Sequence, residues 1–158
     1  NMGLLYYDPV RKPEAEQSLG VQFRPMEALL AEADIIVCSL PLMPETRYLI
    51  NDAAFAKMKP TALFLNMARG PITDGKALYR ALSSKRIAGA ALDVTDPEPL
   101  PLDDPLLTLD NLFITPHIAT STWETRRKMT EGAVTNLLLG LAGKPLLHCA
   151  NPEAQGKA

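Results

Sequence analysis

The sequence has little cysteine, no excess of either charge and no long hydrophobic run, and each shortage closes off a class of protein. Its two cysteines, Cys38 and Cys149, stand far apart and outside any CxxC spacing. That argues against a disulfide framework and against a zinc site. Cys38 falls inside an apolar run and reads as a small core residue. The formal net charge is −2, too small for the basic footprint that nucleic acid or an acidic membrane surface demands. No apolar stretch approaches the roughly 20 residues of a membrane span, and none has the make-up of a signal peptide. Internal repeats and low-complexity tracts are also missing. What remains is ordinary globular composition, 47% hydrophobic and 22% charged over 158 residues, enough for one domain with a sizeable core. The expectation is a cytoplasmic protein with no metal, nucleic-acid or membrane partner.

The chain is organised around Ala62 to Leu82, ALFLNMARGPITDGKALYRAL. An apolar run, Ala62–Leu65, meets a polar switch at Asn66, Arg69 and Gly70, and a helix follows. Asp74 or Thr73 caps that helix, and Leu78 and Leu82 recur on one face. A strand that ends in a small-residue turn and hands over to a helix is half of a βαβ unit. Ligands of open α/β sheets sit outside the carboxyl ends of the strands. Arg69 lies at such an end, where its guanidinium is a fixed fork for a carboxylate; the plainer alternative is a solvated loop arginine.

The rest of the chain alternates in the same way. Leu4–Tyr7 reads as a strand ending at Asp8-Pro9, Pro13–Leu19 as a short helix stopped by Gly20, and Val21–Phe23 as a short strand. Met26–Ala33 is helical, and Ile35–Leu40 is a strand of β-branched residues. Short helical turns over Glu45–Ile50 and Asp52–Met58 follow a loop, the second capped by Asn51. After helix Asp74–Ser83 comes strand Ile87–Val94, whose glycine and alanines suit close approach of a helix or ligand. The stretch 95–105 is a proline-rich acidic loop, and Leu112–Thr115 is the last strand. A long helix then runs from Thr120 to about Ala142, opened by a capping box at Ser121 and Glu124. Met129, Ala133, Leu137 and Leu141 form its apolar stripe, Gly143 and Pro145 end it, and a polar tail from Asn151 is expected to be loose. The alternation predicts an α/β fold, a doubly wound parallel sheet with right-handed crossovers.

In such a sheet Arg69, Glu98 and His117 all collect at the carboxyl edge, since each follows a different strand. A carboxylate beside a histidine orients the ring and favours its protonated form. A histidine so held exchanges a proton near neutral pH, and a nearby arginine binds a carboxylate and polarises an adjacent carbonyl. Singly, Glu98 is one acid of an exposed loop and His117 a strand-end residue. His148 lies in the tail without such a setting.

Four stretches in order make the chain resemble a known family. NMARGPITDGKAL resembles the signature N-x-A-R-G-x-x-x-D-x-x-A-L of the NAD-dependent D-2-hydroxyacid dehydrogenases. GAALDVTDPEPLP and DNLFITPHIATST resemble that family's second and third signatures, and SLPLMPETRYLIN its loop S/T-x-P-x-x-P-x-T-x-x-L-I-N. The P-E-P-L-P loop is most similar to the glyoxylate and hydroxypyruvate reductase branch. The resemblance implies a Rossmann-like NAD-binding domain and a hydride transfer between NAD(H) and a small 2-keto or 2-hydroxy acid. It makes Arg69 the group that binds the keto acid, His117 the general acid or base, and Glu98 its partner. It places Asp93 and Ile118–Thr120, including Ala119 and Thr120, with His117 near the nicotinamide. Leu40, Pro41 and Thr46 then line the cofactor cleft, and Met67, Ala68 and Arg69 its floor. Asp8 matches the acid that holds the adenosine ribose, which favours NAD over NADP, although Arg11 and Lys12 are within reach of a 2′-phosphate. The family's members are commonly homodimers. Two departures stand out: Gly75 where the family often has an acid, and Ala119-Thr120 in place of Gly-Ser.

The family's glycine-rich turn, GxGxxG between a first strand and helix, has no counterpart here. The expectation is therefore a sheet incomplete on its N-terminal side. Residues 1–143 form a nucleotide-binding domain without its first strand, residues 144–158 a tail, and the whole is the carboxyl-terminal part of a dehydrogenase of roughly 300 residues. Without that strand, Leu4–Tyr7 and Ile35–Leu40 share no neighbour. A non-catalytic NAD-sensing protein of corepressor type and an inactive truncated product stay open beside the enzyme.

Overall fold

The computed structural model describes residues 2–154; Asn1 and residues 155–158 of the tail lie outside the described residues. The strands are β1 (Leu5–Tyr6), β2 (Gln22–Phe23), β3 (Ile35–Cys38), β4 (Leu63–Asn66), β5 (Gly89–Leu92) and β6 (Leu112–Ile114). All pair in parallel, β1 with β2 in one sheet and β3-β4-β5-β6 in a second. The strands Leu4–Tyr7 and Ile35–Leu40 thus fall in separate sheets, each shorter than the sequence suggests. The helices are α1 (Pro13–Leu19), α2 (Met26–Glu32), α3 (Asp52–Lys57), α4 (Gly75–Ser83) and α5 (Trp123–Leu141). No helix among the described residues is long and apolar enough to cross a membrane.

Local chemistry explains where these helices begin and end. α1 starts on Pro13, whose missing N–H costs nothing there, and stops at Gly20, which takes a left-handed φ of 69°. Asn51 caps α3 by accepting from the N–H groups of Ala53 and Ala54, and Asp74 caps α4 by accepting from Lys76 and Ala77. Of the two cap candidates before α4, Asp74 is the one used. Thr73 instead bonds to Asn66.

Two compact units divide the chain, one up to His117 and one from Ile118 onward. In the first, alternate strand residues face a core on one side of the larger sheet. Ile36, Cys38, Phe64 and Leu92 are buried in one cluster with Phe55, Leu78 and Leu82 of α3 and α4, and Phe55 meets Phe64 edge to face at 5.5 Å. Arg80 and Asp52 tie α4 to α3 through paired bonds of 2.9 and 2.6 Å. Gly89 does admit a close neighbour, but that neighbour is the Asn111 carbonyl of the adjoining chain segment, not a helix or ligand: an added Cβ would lie 3.1 Å from it.

In the second unit, the cap of α5 is Thr122, whose hydroxyl accepts from the Thr125 N–H at 3.2 Å. Ser121 and Glu124 form no capping box. Ser121 accepts from Arg126, and Glu124 pairs with Lys128. Met129, Leu137 and Leu141 are exposed. Asn136 pins the segment after the helix, accepting from the Leu147 N–H at 3.0 Å and donating to the His148 carbonyl at 2.9 Å.

Candidate active site

The register of the larger sheet decides what can meet. Cys38 lies opposite Asn66, Asn66 opposite Leu92, and Leu92 opposite Ile114. Four parallel strands therefore end on one line. Ser39–Leu42, Met67–Arg69, Asp93 and Thr115–His117 all leave the same edge.

The turn after β4 is built by Asn66, which is fully buried. Its Oδ1 accepts from the Ala68 N–H at 3.0 Å; its Nδ2 donates to the Arg69 carbonyl at 3.0 Å and to the Thr73 hydroxyl at 3.1 Å. A 3₁₀ turn, Gly70–Ile72, carries the chain on to α4. Arg69 borders a cavity of about 400 Å³ together with Ser39, Leu40, Pro41, Leu42 and Ala68. Its guanidinium donates to the Ala68 carbonyl at 2.6 Å. Among the described residues no acid pairs with it. A cation with unused donors in a concave site is equipped to take an external carboxylate.

The turn after β6 delivers the histidine. The Thr115 hydroxyl donates to Oδ1 of buried Asp93 at 2.6 Å, and the His117 N–H reaches back to the Thr115 carbonyl at 3.0 Å. This tight turn puts His117 at a φ of 54°, a region that residues other than glycine rarely enter. His117 Nδ1 lies 2.7 Å from Glu98 Oε1, and both side chains are about half exposed. With Nδ1 committed to Glu98, Nε2 is the nitrogen that can exchange a proton with a bound molecule.

The loop carrying Glu98 is fixed to the Arg69 turn through the backbone. A Cβ on Gly70 would fall 1.9 Å from the Thr95 carbonyl oxygen, so the two segments touch there and only glycine fits. Tyr48, from the loop after β3, donates to Asp96 at 3.3 Å. The structure thus joins His117 to Glu98 directly, and brings the Glu98 loop against the Arg69 turn through the Gly70–Thr95 backbone contact. Among the described residues, no hydrogen bond or ion pair links Arg69 to either of them.

The remaining expected site residues divide. Leu40, Pro41 and Ala68 line the cavity, and Met67 beside them is exposed. The Thr46 hydroxyl is bound within its own loop, donating to the Pro41 carbonyl and accepting from the Met43 N–H, each at 2.7 Å. Asp8 follows β1 in the smaller sheet and accepts from the Val10 N–H at 2.8 Å. Arg11 is held by Glu16 in a two-point pair, both bonds 2.8 Å, and lies over the Phe23 ring. Ala119 and Thr120 belong to the second unit and are exposed. Sequence reasoning marked Asn66 and Gly70 only as a polar switch and passed over Thr115. A polar residue closing an apolar run, and a glycine between Arg69 and Pro71, were the available signals.

Comparison with known proteins bears on this edge. The family model described as "D-isomer specific 2-hydroxyacid dehydrogenase, NAD binding domain" matches residues 1–119. The chain is 45% identical over 156 residues to glyoxylate/hydroxypyruvate reductase B of Citrobacter koseri, covering 99% of this chain and 48% of that protein. It is 46% identical over 138 residues to glyoxylate reductase of Pyrococcus furiosus, covering 87% of this chain and 41% of that one. The crystal structure of D-lactate dehydrogenase with NAD+ from Lactobacillus jensenii superposes with a TM-score of 0.84 at 31% identity, over 94% of this chain and 48% of that chain. The chain spans about half the length of the curated relatives it matches.

Proposed function

This chain belongs to the D-isomer specific 2-hydroxyacid dehydrogenases, through their NAD-binding domain, and from that premise we propose that it serves hydride transfer between NAD(H) and a small 2-keto or 2-hydroxy acid of the glyoxylate or hydroxypyruvate type. One observation carries the reading: Arg69, with no acid partner among the described residues, borders a cavity at the strand edge that also presents the His117–Glu98 pair.

The residues present fit the cofactor. Apolar Leu40, Pro41 and Ala68 line the cavity beside Arg69, and Met67 adds exposed apolar surface. Asp8 suits a ribose hydroxyl pair. Arg11, which could otherwise favour a 2′-phosphate, is engaged by Glu16, which supports NAD over NADP. Asp93 is assigned to the nicotinamide end and Thr46 to the cleft wall. When bound, the nicotinamide supplies or accepts the hydride.

The chain's own groups do the rest. Arg69 binds the substrate carboxylate through its planar fork and draws electron density from the neighbouring carbonyl. In reduction, His117 gives the proton of Nε2 to the carbonyl oxygen as it becomes a hydroxyl. In oxidation, the same nitrogen removes the hydroxyl proton. Glu98 holds the ring by Nδ1, so that the tautomer and the direction of Nε2 are set before substrate arrives.

The test places residues 1–158 in the matching stretch of the Citrobacter koseri reductase and follows NADH oxidation with glyoxylate and with hydroxypyruvate. The hybrid is expected to turn over both. His117→Ala is expected to lower kcat by at least about 10²-fold, the scale of general acid–base catalysis. Equal kcat in the two hybrids would refute the mechanism.

A further inference from the structure

Asn66 is a polar side chain with no exposure. Burying a carboxamide is unfavourable unless its bonds are made. Among the described residues, the three bonds that the Asn66 side chain makes run to the turn that presents Arg69. One holds the N–H of the residue before Arg69, one holds the Arg69 carbonyl, and one reaches Thr73 at the end of the turn. The Arg69 guanidinium rests in turn on the Ala68 carbonyl. The charged head is therefore fixed to the 68–69 backbone, and that backbone is fixed to Asn66. We infer that Asn66 is a positioning residue for Arg69: its carboxamide sets the peptide from which the guanidinium faces the cavity. The consequence for binding rests on the reading of Arg69 as the carboxylate-binding group.

Two variants separate positioning from general stability. Asn66→Asp keeps an acceptor for the Ala68 N–H but sets an oxygen against the Arg69 carbonyl. Thr73→Val removes only the arm directed away from Arg69. The full chain, labelled with ¹⁵N, gives two readouts. The heteronuclear NOE of Arg69 Nε reports the order of the guanidinium stem, and titration with glyoxylate followed at the same resonance reports affinity without needing turnover. Asn66→Asp is expected to lower the NOE and weaken glyoxylate binding about tenfold, the scale of one net hydrogen bond. Thr73→Val is expected to change binding less than about threefold. If Asn66→Asp does not fold by circular dichroism, Asn66→Ser, which offers one short hydroxyl, takes its place with the same expectations. An unchanged Arg69 NOE and affinity in the folded Asn66 variant overturns the inference, as does an equal loss in Thr73→Val. Failure of glyoxylate to move the Arg69 resonance in the unaltered chain refutes the carboxylate reading alone. The NOE comparison then decides the positioning role by itself.

Discussion

Gly70→Ala tests whether the Arg69 turn and the Glu98 loop are one assembly. The added Cβ would stand 1.9 Å from the Thr95 carbonyl oxygen, 2.2 Å from its carbon and 2.8 Å from the Asp96 nitrogen, whereas ordinary contact begins near 3.4 Å. The loop must retreat by about 1.5 Å, because repulsion at the shorter distance exceeds any contact energy. Every atom in the way is backbone, so no side chain can swing aside. Overpacking of this kind costs about 1–3 kcal/mol. For a chain of this size that is a fall in Tm of about 3–10 °C. The retreating segment leads directly to Glu98, so the His117–Glu98 bond moves with it. A displacement of about 1 Å at reacting groups can cost about 10²-fold in rate. The measurement is a thermal melt together with kcat/KM for glyoxylate in the hybrid enzyme. Gly75→Ala is the control, since its Cβ would meet only Leu106 Cδ1, at 3.8 Å; its Tm is expected to stay level or rise slightly. Gly70→Ala with an unchanged Tm and unchanged kcat/KM would refute the claim that these loops touch.

Arg69→Lys is expected to raise KM for glyoxylate at least about tenfold with little change in KM for NADH, because an ammonium cannot make the two parallel bonds of a guanidinium; steady-state kinetics of the hybrid would show it. Burial pushes the Cys38 thiol up to about 12, so iodoacetamide at pH 8 is expected to label Cys149 and spare Cys38 until the chain is unfolded, as read by peptide mass. The same shift has a sign for stability: Cys38 contributes fully below the ordinary thiol value of 9.0 and its contribution is lost as pH rises towards 12. Bonds from Arg11 and then Tyr6 bring the Glu16 carboxyl down to about 2. Its contribution is therefore present above the ordinary 4.5 and lost as pH falls towards 2. Glu16→Gln is expected to flatten that part of the acid limb in a pH series of melts.

What could be read from sequence was whatever depends on near neighbours in the chain. Pro13 and Gly20 bound α1, and Asn51 and Asp74 cap their helices, because each acts on residues within one turn. The His117–Glu98 pairing was legible for a related reason: in a parallel sheet, residues just past strand ends share an edge, and the register aligns those ends. Adjacent candidates of like chemistry were harder to rank. Ser121 and Thr122 both suit an N-cap, and Thr122 takes the role because the helix begins at Trp123. The stripe on α5 shows that periodicity marks an apolar face without saying what meets it, for Met129, Leu137 and Leu141 are exposed. The contact of Gly70 with Thr95 was hidden altogether, since it joins two loops that no local pattern relates.

The two halves of the edge are steadied by different means, and the difference bears on how the chemistry is organised. Around Arg69 the backbone is held from below, by a buried carboxamide that satisfies groups on both sides of the residue. Around His117 the backbone is held by a tight turn at a positive φ and by the Asp93–Thr115 bond beneath it. A residue other than glycine at that φ is unfavourable, and it persists where surrounding bonds over-determine it. Glu98 then holds the imidazole at Nδ1. The Arg69 turn and the His117 turn thus each have their own support, the Asn66 carboxamide for one and the Asp93–Thr115 bond for the other. The backbone contact between Gly70 and Thr95 sets the Glu98 loop against the Arg69 turn. On the proposed reading, a substrate whose carboxylate and carbonyl are one bond apart has to meet both turns at once, and that contact favours it, because a near-attack geometry must be reached at both ends.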